Sequence, residues 1–140
     1  MNVYMAIPLD YAVSHEQHLD RWFHHAEYWP VGADVYCPHC SFVPGEQPKS
    51  TIIRNTRALT DADVLVAIFD GTVSFGVPVE VWTKSNQSPF RVCLIHPAPP
   101  GVFVRYLEAM GVTVVDFPEE ALMWAQLQAN ALQDALPWPE

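Results

Sequence analysis

The stretch DVLVAIFD, residues 63–70, places six consecutive apolar residues between two aspartates. A strand with one face in water alternates apolar and polar residues, and this one does not. It reads as a strand buried on both faces, which is the signature of a central strand in a parallel sheet covered by helices on each side. The run is also far too short to cross a bilayer. Around it, strand-like and helix-like segments alternate along the chain. NVYMAIP at the amino end, ADVYC at 33–37, RVCLIHP at 91–97 and VTVVDF at 112–117 read as further strands.

Helices are expected between them. SHEQHLDRWFHHAEYW, from Ser14, opens with a capping-box pattern and repeats Leu19, Trp22, Phe23 and Ala26 at helical spacing. STIIRNTRALTDA reads as a helix capped by Ser50 or Thr51. GVPVEVWTKSN reads as a helix with Pro78 in its first turn, where a missing N–H costs least. GVFVRYLEAMG ends at Gly111, and PEEALMWAQLQANALQDAL lays Leu122, Ala125, Ala129, Leu132 and Leu136 along one side. Alternating strands and helices predict one doubly wound α/β domain over residues 1–140, Rossmann-like or flavodoxin-like. Its five-stranded, mostly parallel sheet should carry helices on both faces. At 140 residues, half of them apolar, the chain can bury a single core.

Charge narrows the partners. A net charge of −9 with only seven Lys and Arg argues against a nucleic-acid polymer. It leaves room for one small anionic ligand at a helix amino end. The amino terminus has no basic segment ahead of its apolar residues, so a cytoplasmic protein without membrane contact is expected. CPHC, residues 37–40, supplies two of the four ligands zinc needs, and Cys93 lies within a predicted strand. No metal and no cofactor are expected. The histidines of 15–25 read as a solvated face, and Trp22, Trp29, Trp82 and Trp124 as core or subunit contacts.

In such a sheet, ligands bind outside the carboxyl ends of the strands. Pro8, Asp10, the loop from Cys37 with His39, residues 70–76 and His96 fall along that edge. Glu80 follows immediately, an acid among Val77, Val79, Val81 and Trp82. Its plain reading is a first-turn carboxylate facing the positive end of a helix dipole. Its functional reading is a carboxylate facing a cleft.

VYMAIP, then VYCPH, then ADVLVAIFDG followed by a Gly and a Glu on a helix, resemble in order and spacing the nucleoside 2-deoxyribosyltransferase superfamily. The motifs cover residues 1–97, and the remainder fits by topology. The resemblance implies a retaining mechanism in which Glu80 attacks the anomeric carbon and displaces the base. It implies that Tyr4 steadies Glu80 and that Asp70 and Gly71 form the family's Asp-Gly turn. Transferases of the family carry an aspartate where this chain has Ser74. The branch that hydrolyses nucleoside 5′-monophosphates has a serine there, in a similar Ser-x-Gly arrangement. Ser74, Phe75 and Gly76 are therefore expected at a 5′-phosphate, with Arg54 supplying a further charge. The family often has an acid at the position of Asn55, where it helps protonate the leaving base; an amide cannot do so, and either another acid such as Asp70 or Asp10 serves, or the leaving base needs little help, or activity is reduced. Implied partners are a small nucleotide or nucleoside and a second copy of the chain, as a homodimer or larger homo-oligomer. The expected activity is N-glycosidic cleavage of a (2′-deoxy)nucleoside 5′-monophosphate. The alternatives are 2-deoxyribosyl transfer between bases and a silent nucleotide-binding module.

Overall fold

The computed structural model describes residues 1–7, 29–38, 41, 43–69, 76–95 and 101–135. Five strands, β1 (Asn2–Ala6), β2 (Asp34–Tyr36), β3 (Val64–Ile68), β4 (Val92–Ile95) and β5 (Thr113–Val115), form one sheet in the order β2-β1-β3-β4-β5. Every neighbouring pair is parallel. This is the flavodoxin-like order, with its reversal between β1 and β3. The described helices are α1 (Pro48–Asp61), α2 (Gly76–Gln87), α3 (Val102–Met110) and α4 (Pro118–Asp134). The expected helix around residues 14–29 lies outside the described residues, apart from buried Trp29.

β3 is buried at all five positions. The sheet's alternation sorts its side chains into two cores. Val3, Met5, Val64, Val66, Ile68, Cys93 and Ile95 point to one face and pack with Trp29 and with Ala121, Trp124 and Ala125 of α4. Tyr4, Ala6, Leu65, Ala67, Val92 and Leu94 point to the other, beneath Leu59 of α1, Val77 and Val81 of α2 and Leu107 of α3. Burial on this scale removes apolar surface from water at about 25 cal/mol per Å². The Cys93 thiol, sealed in the first core, is pushed up to about 12 by burial.

Three local expectations need correction. The cap of α1 is Gln47, not Ser50 or Thr51, because Pro48 occupies the first turn with a preset φ and starts the helix earlier. Thr51 instead donates to Glu46 Oε2 at 3.2 Å. The buried stripe of α4 centres on Ala121, Trp124 and Ala125 rather than on the leucines, with Leu122 only half-buried. Trp124 supplies the volume that a leucine stripe would have supplied. Glu80 lies one turn in from Gly76, and α2 has no acid in its first turn, so dipole compensation does not account for it.

The carboxyl end of α1 is held from outside. The helix has no basic residue in its last turn. Lys84 of α2, only 5% exposed, donates to Leu59 O at 3.2 Å and to Ala62 O at 2.6 Å. Burial lowers its pKa, and Asp63 and Asp61 oppose that fall. The ammonium thus satisfies orphan carbonyls and faces the negative end of a dipole. Lys84→Met keeps the stem and removes the donors. It is expected to cost about 2–3 kcal/mol, read as a lower denaturant midpoint at unchanged slope. A midpoint equal to wild type would show the pair to be energetically idle.

Candidate active site

Glu80 projects from the second turn of α2 toward β1. A polar group here has to cross the face of the sheet that carries Tyr4, which is 1% exposed. The Tyr4 hydroxyl donates a hydrogen bond to the Glu80 carboxylate. Glu80 Oε1 lies back over the preceding turn, where a Cβ placed on Gly76 would stand 3.4 Å from it. Glu80 Oε2 is buried and has no hydrogen-bond partner among the described residues. Native structures leave few buried polar atoms unsatisfied, and an atom kept for chemistry is one reason for such an exception.

Burial pushes Glu80 up to about 7, and the Tyr4 hydrogen bond acts in the opposite direction. Tyr4 itself is raised above the ordinary tyrosine range by burial first and by the Glu80 charge second, so it stays a donor at every physiological pH. The result is a desolvated carboxylate, part ionised at neutral pH, with one oxygen unpartnered among the described residues. Such a group can act as a nucleophile or as a general acid.

Glu80 opens on a cleft of about 490 Å³ between α1 and α2, floored by Tyr4. Ile52, Asn55, Thr56 and Leu59 form one wall, and Gly76, Val79 and Thr83 form the other. That volume is within the range that takes a small organic ligand. The wall is mainly apolar, with Asn55, Thr56 and Thr83 as polar points.

Behind Asn55 runs a connected set of polar side chains. Tyr36, at the end of β2, donates its hydroxyl to Asn55 Oδ1 at 2.5 Å. Its ring stacks on Tyr4 with centroids 5.5 Å apart. The Arg54 guanidinium sits beside the Tyr36 hydroxyl and is paired with Glu46, Nη1 to Oε1, at 2.5 Å. Glu46 is held below the usual carboxylate range by Arg54 first and by Thr51 as well. Arg54 lines a separate groove with Tyr36, Ser50, Ile53, Arg57, Ala58 and Asp61 rather than the Glu80 cleft.

Of the residues named from the sequence, the structure brings Tyr4, Glu80, Gly76 and Asn55 together. It sets Arg54 behind Asn55 with its charge committed to Glu46. Pro8, Asp10, His39, Asp70, Gly71, Ser74 and Phe75 lie outside the described residues. Tyr36 and Glu46 were not singled out. Tyr36 stands in VYCPH and could have been found there, whereas Glu46 is separated from its partner by a loop-to-helix junction. Cys37 is buried. Among the described residues no three His, Cys, Asp or Glu side chains gather as a metal site would. No described helix is long and apolar enough to cross a membrane.

The chain shares its fold with a CMP N-glycosidase. That structure, the enzyme BcmB of Clostridium botulinum, superposes with a TM-score of 0.60 at 16% identity, over 93% of this chain and 99% of that one. A conserved protein from Enterococcus faecalis V583 superposes with a TM-score of 0.69 at 16% identity, over 91% of this chain and 98% of that one. No protein-family description and no curated protein matches the chain by sequence. At this identity the likeness carries the architecture.

Proposed function

We propose that the protein cleaves the N-glycosidic bond of a (2′-deoxy)nucleoside 5′-monophosphate, with Glu80 as nucleophile. The observation that carries this reading is the Glu80 carboxylate: buried, bonded by Tyr4 on one side, without a partner for Oε2 among the described residues, and facing a cleft of nucleoside size. The shared fold with a CMP N-glycosidase supports the same chemistry. Attack of the carboxylate on the anomeric carbon gives a glycosyl ester and frees the base, and water then resolves the ester. Ser74 and the amino end of α2 are assigned to the 5′-phosphate. The apolar surface beside the cleft, where Trp82 stacks on Tyr106 at 5.8 Å and meets Phe103 at a tilt at 6.2 Å, is assigned to a second copy of the chain.

The test is free-base release from a panel of nucleoside monophosphates, followed by mass spectrometry with and without an added acceptor base. Release of base and sugar phosphate, unchanged by the acceptor, is expected. Base exchange in place of hydrolysis would move the assignment to a 2-deoxyribosyltransferase. Binding without either product would leave a nucleotide-binding module.

A further inference from the structure

Asn55 occupies a wall of the cleft opposite α2, and its two amide ends are not equivalent. Oδ1 is taken by the Tyr36 hydroxyl at 2.5 Å. Tyr36 has only one proton to give, and its direction is set by Arg54. A guanidinium carries donors and no acceptor, so Arg54 beside the hydroxyl cannot take the Tyr36 proton, which goes to Asn55 Oδ1. Arg54 is itself held by Glu46 Oε1, and Glu46 Oε2 by Thr51 at 3.2 Å. The Tyr36 ring is fixed by its stack on Tyr4. Arg54 reaches Glu46 through Nη1 alone, its buried Nε and Nη2 having no hydrogen-bond partner among the described residues, and the Asn55 amide is oriented by Tyr36 before any ligand arrives.

We propose that Asn55 receives the leaving base: with Oδ1 fixed by Tyr36, its NH₂ faces the cleft and donates a hydrogen bond to an acceptor atom of the base. This rests on the glycosidic reading of Glu80. An amide has no acidic proton at neutral pH, so Asn55 stabilises developing negative charge without protonating it. The step balances as follows. A Glu80 oxygen forms a bond to the anomeric carbon as the bond from that carbon to the base nitrogen breaks. The electron pair passes to the base, which departs as its anion. The charge spreads onto the acceptor atom that Asn55 bonds, and water supplies the proton afterwards. A second water hydrolyses the ester and restores the carboxylate. The favoured substrates are nucleotides whose bases have an acidic ring N–H and an adjacent carbonyl or ring-nitrogen acceptor. Asn55 is then a specificity residue that touches substrate, and Tyr36 is a positioning residue acting through it.

The experiment measures kcat and KM for 2′-deoxyuridine 5′-monophosphate and its 5-bromo and 5-methyl derivatives. Bromine and methyl are nearly equal in size, so acidity of the leaving base separates them. Wild type is expected to release the 5-bromo base about tenfold faster or more, with the difference in kcat. Tyr36→Phe retains the ring stack and frees the amide. It is expected to keep the wild-type melting temperature and lose about tenfold in kcat on all three, in keeping with the loss of one oriented hydrogen bond to charge. Asn55→Asp should flatten the leaving-base dependence below the pKa of the new carboxyl and add a loss of rate above it. Equal release of the 5-bromo and 5-methyl bases by wild type would overturn the proposal, because another group would then be protonating the base. So would a Tyr36→Phe enzyme with unchanged kcat, or a wild type that cleaves none of the three. Trapping with a 2-fluoro-2-deoxy nucleotide separates the causes. A labelled Glu80 with a flat dependence overturns the role of Asn55 alone, and an unlabelled Glu80 overturns the glycosidic reading with it.

Discussion

Glu80→Gln is expected to lose turnover by several orders of magnitude and, above pH 7, to be more stable than wild type. The first effect follows from removing the only group assigned to form the covalent bond. The second follows from the pKa. Glu80 moves from an ordinary 4.5 to about 7 in the folded protein because burial disfavours its charge. The folded state therefore holds this proton more tightly than the unfolded chain does. Between about pH 4.5 and pH 7 the unfolded chain has released it and the folded protein has not, so stability falls as pH rises across that window. Above pH 7 the whole cost is present. The difference of about 2.5 in pKa corresponds to about 3 kcal/mol, less what water in the cleft recovers. Glutamine does not titrate there. Denaturation at pH 5 and pH 8 should show wild type losing about 2 kcal/mol more than Glu80→Gln between the two. In wild type, kcat/KM should rise with pH through about 7 as the nucleophile ionises. A variant with near-wild-type turnover would end the assignment of Glu80. A variant whose stability followed wild type at both pH values would show that its carboxylate is not desolvated.

The sheet was legible because its strands are written in period-two or uniformly apolar runs that no other element of that length tolerates. DVLVAIFD predicted a strand buried on both faces, and β3 is buried throughout. Glu80 and Tyr4 were legible for a different reason. An acid among valines is an anomaly that burial statistics make conspicuous, and Tyr4 was named beside it only because the family resemblance implied it. The support behind Asn55 was not legible. It depends on which side of α1 faces β2, and that rotation is set by Leu59 entering the core and by Pro48 fixing where the helix starts. Arg54 illustrates the point. In a chain with so few cations it looks like a ligand for phosphate. The fold places Glu46 within reach, and the pair forms before any anion is present. A sequence records charges but not which of them are already answered.

The 5′-phosphate should then be recognised without Arg54, and the expected result is a preference for a deoxynucleoside monophosphate over its nucleoside of roughly a hundredfold in kcat/KM. A charge-assisted hydrogen bond to phosphate contributes on the order of 1.5–3 kcal/mol. Two or three of them, from the Ser74 hydroxyl and backbone N–H groups near Phe75 and Gly76, leave about that preference after desolvation and ordering. The rest of the molecule, at net −9, repels an anion at long range, so recognition has to be local and the preference should weaken little with added salt. Ser74→Asp places a carboxylate against the phosphate and restores the residue that transferases of the resembled family carry. It should reverse the ratio, favouring the nucleoside, while Glu80 remains labelled by a 2-fluoro-2-deoxy substrate. Arg54→Ala provides the control. It removes a cation that does not line the Glu80 cleft, so it should lower kcat for monophosphate and nucleoside alike through Tyr36 and Asn55, leaving their ratio unchanged. A wild-type ratio near one would remove the phosphate from the reading and favour a nucleoside transferase. A ratio that collapsed in Arg54→Ala would mean that the guanidinium leaves Glu46 for the phosphate when substrate binds.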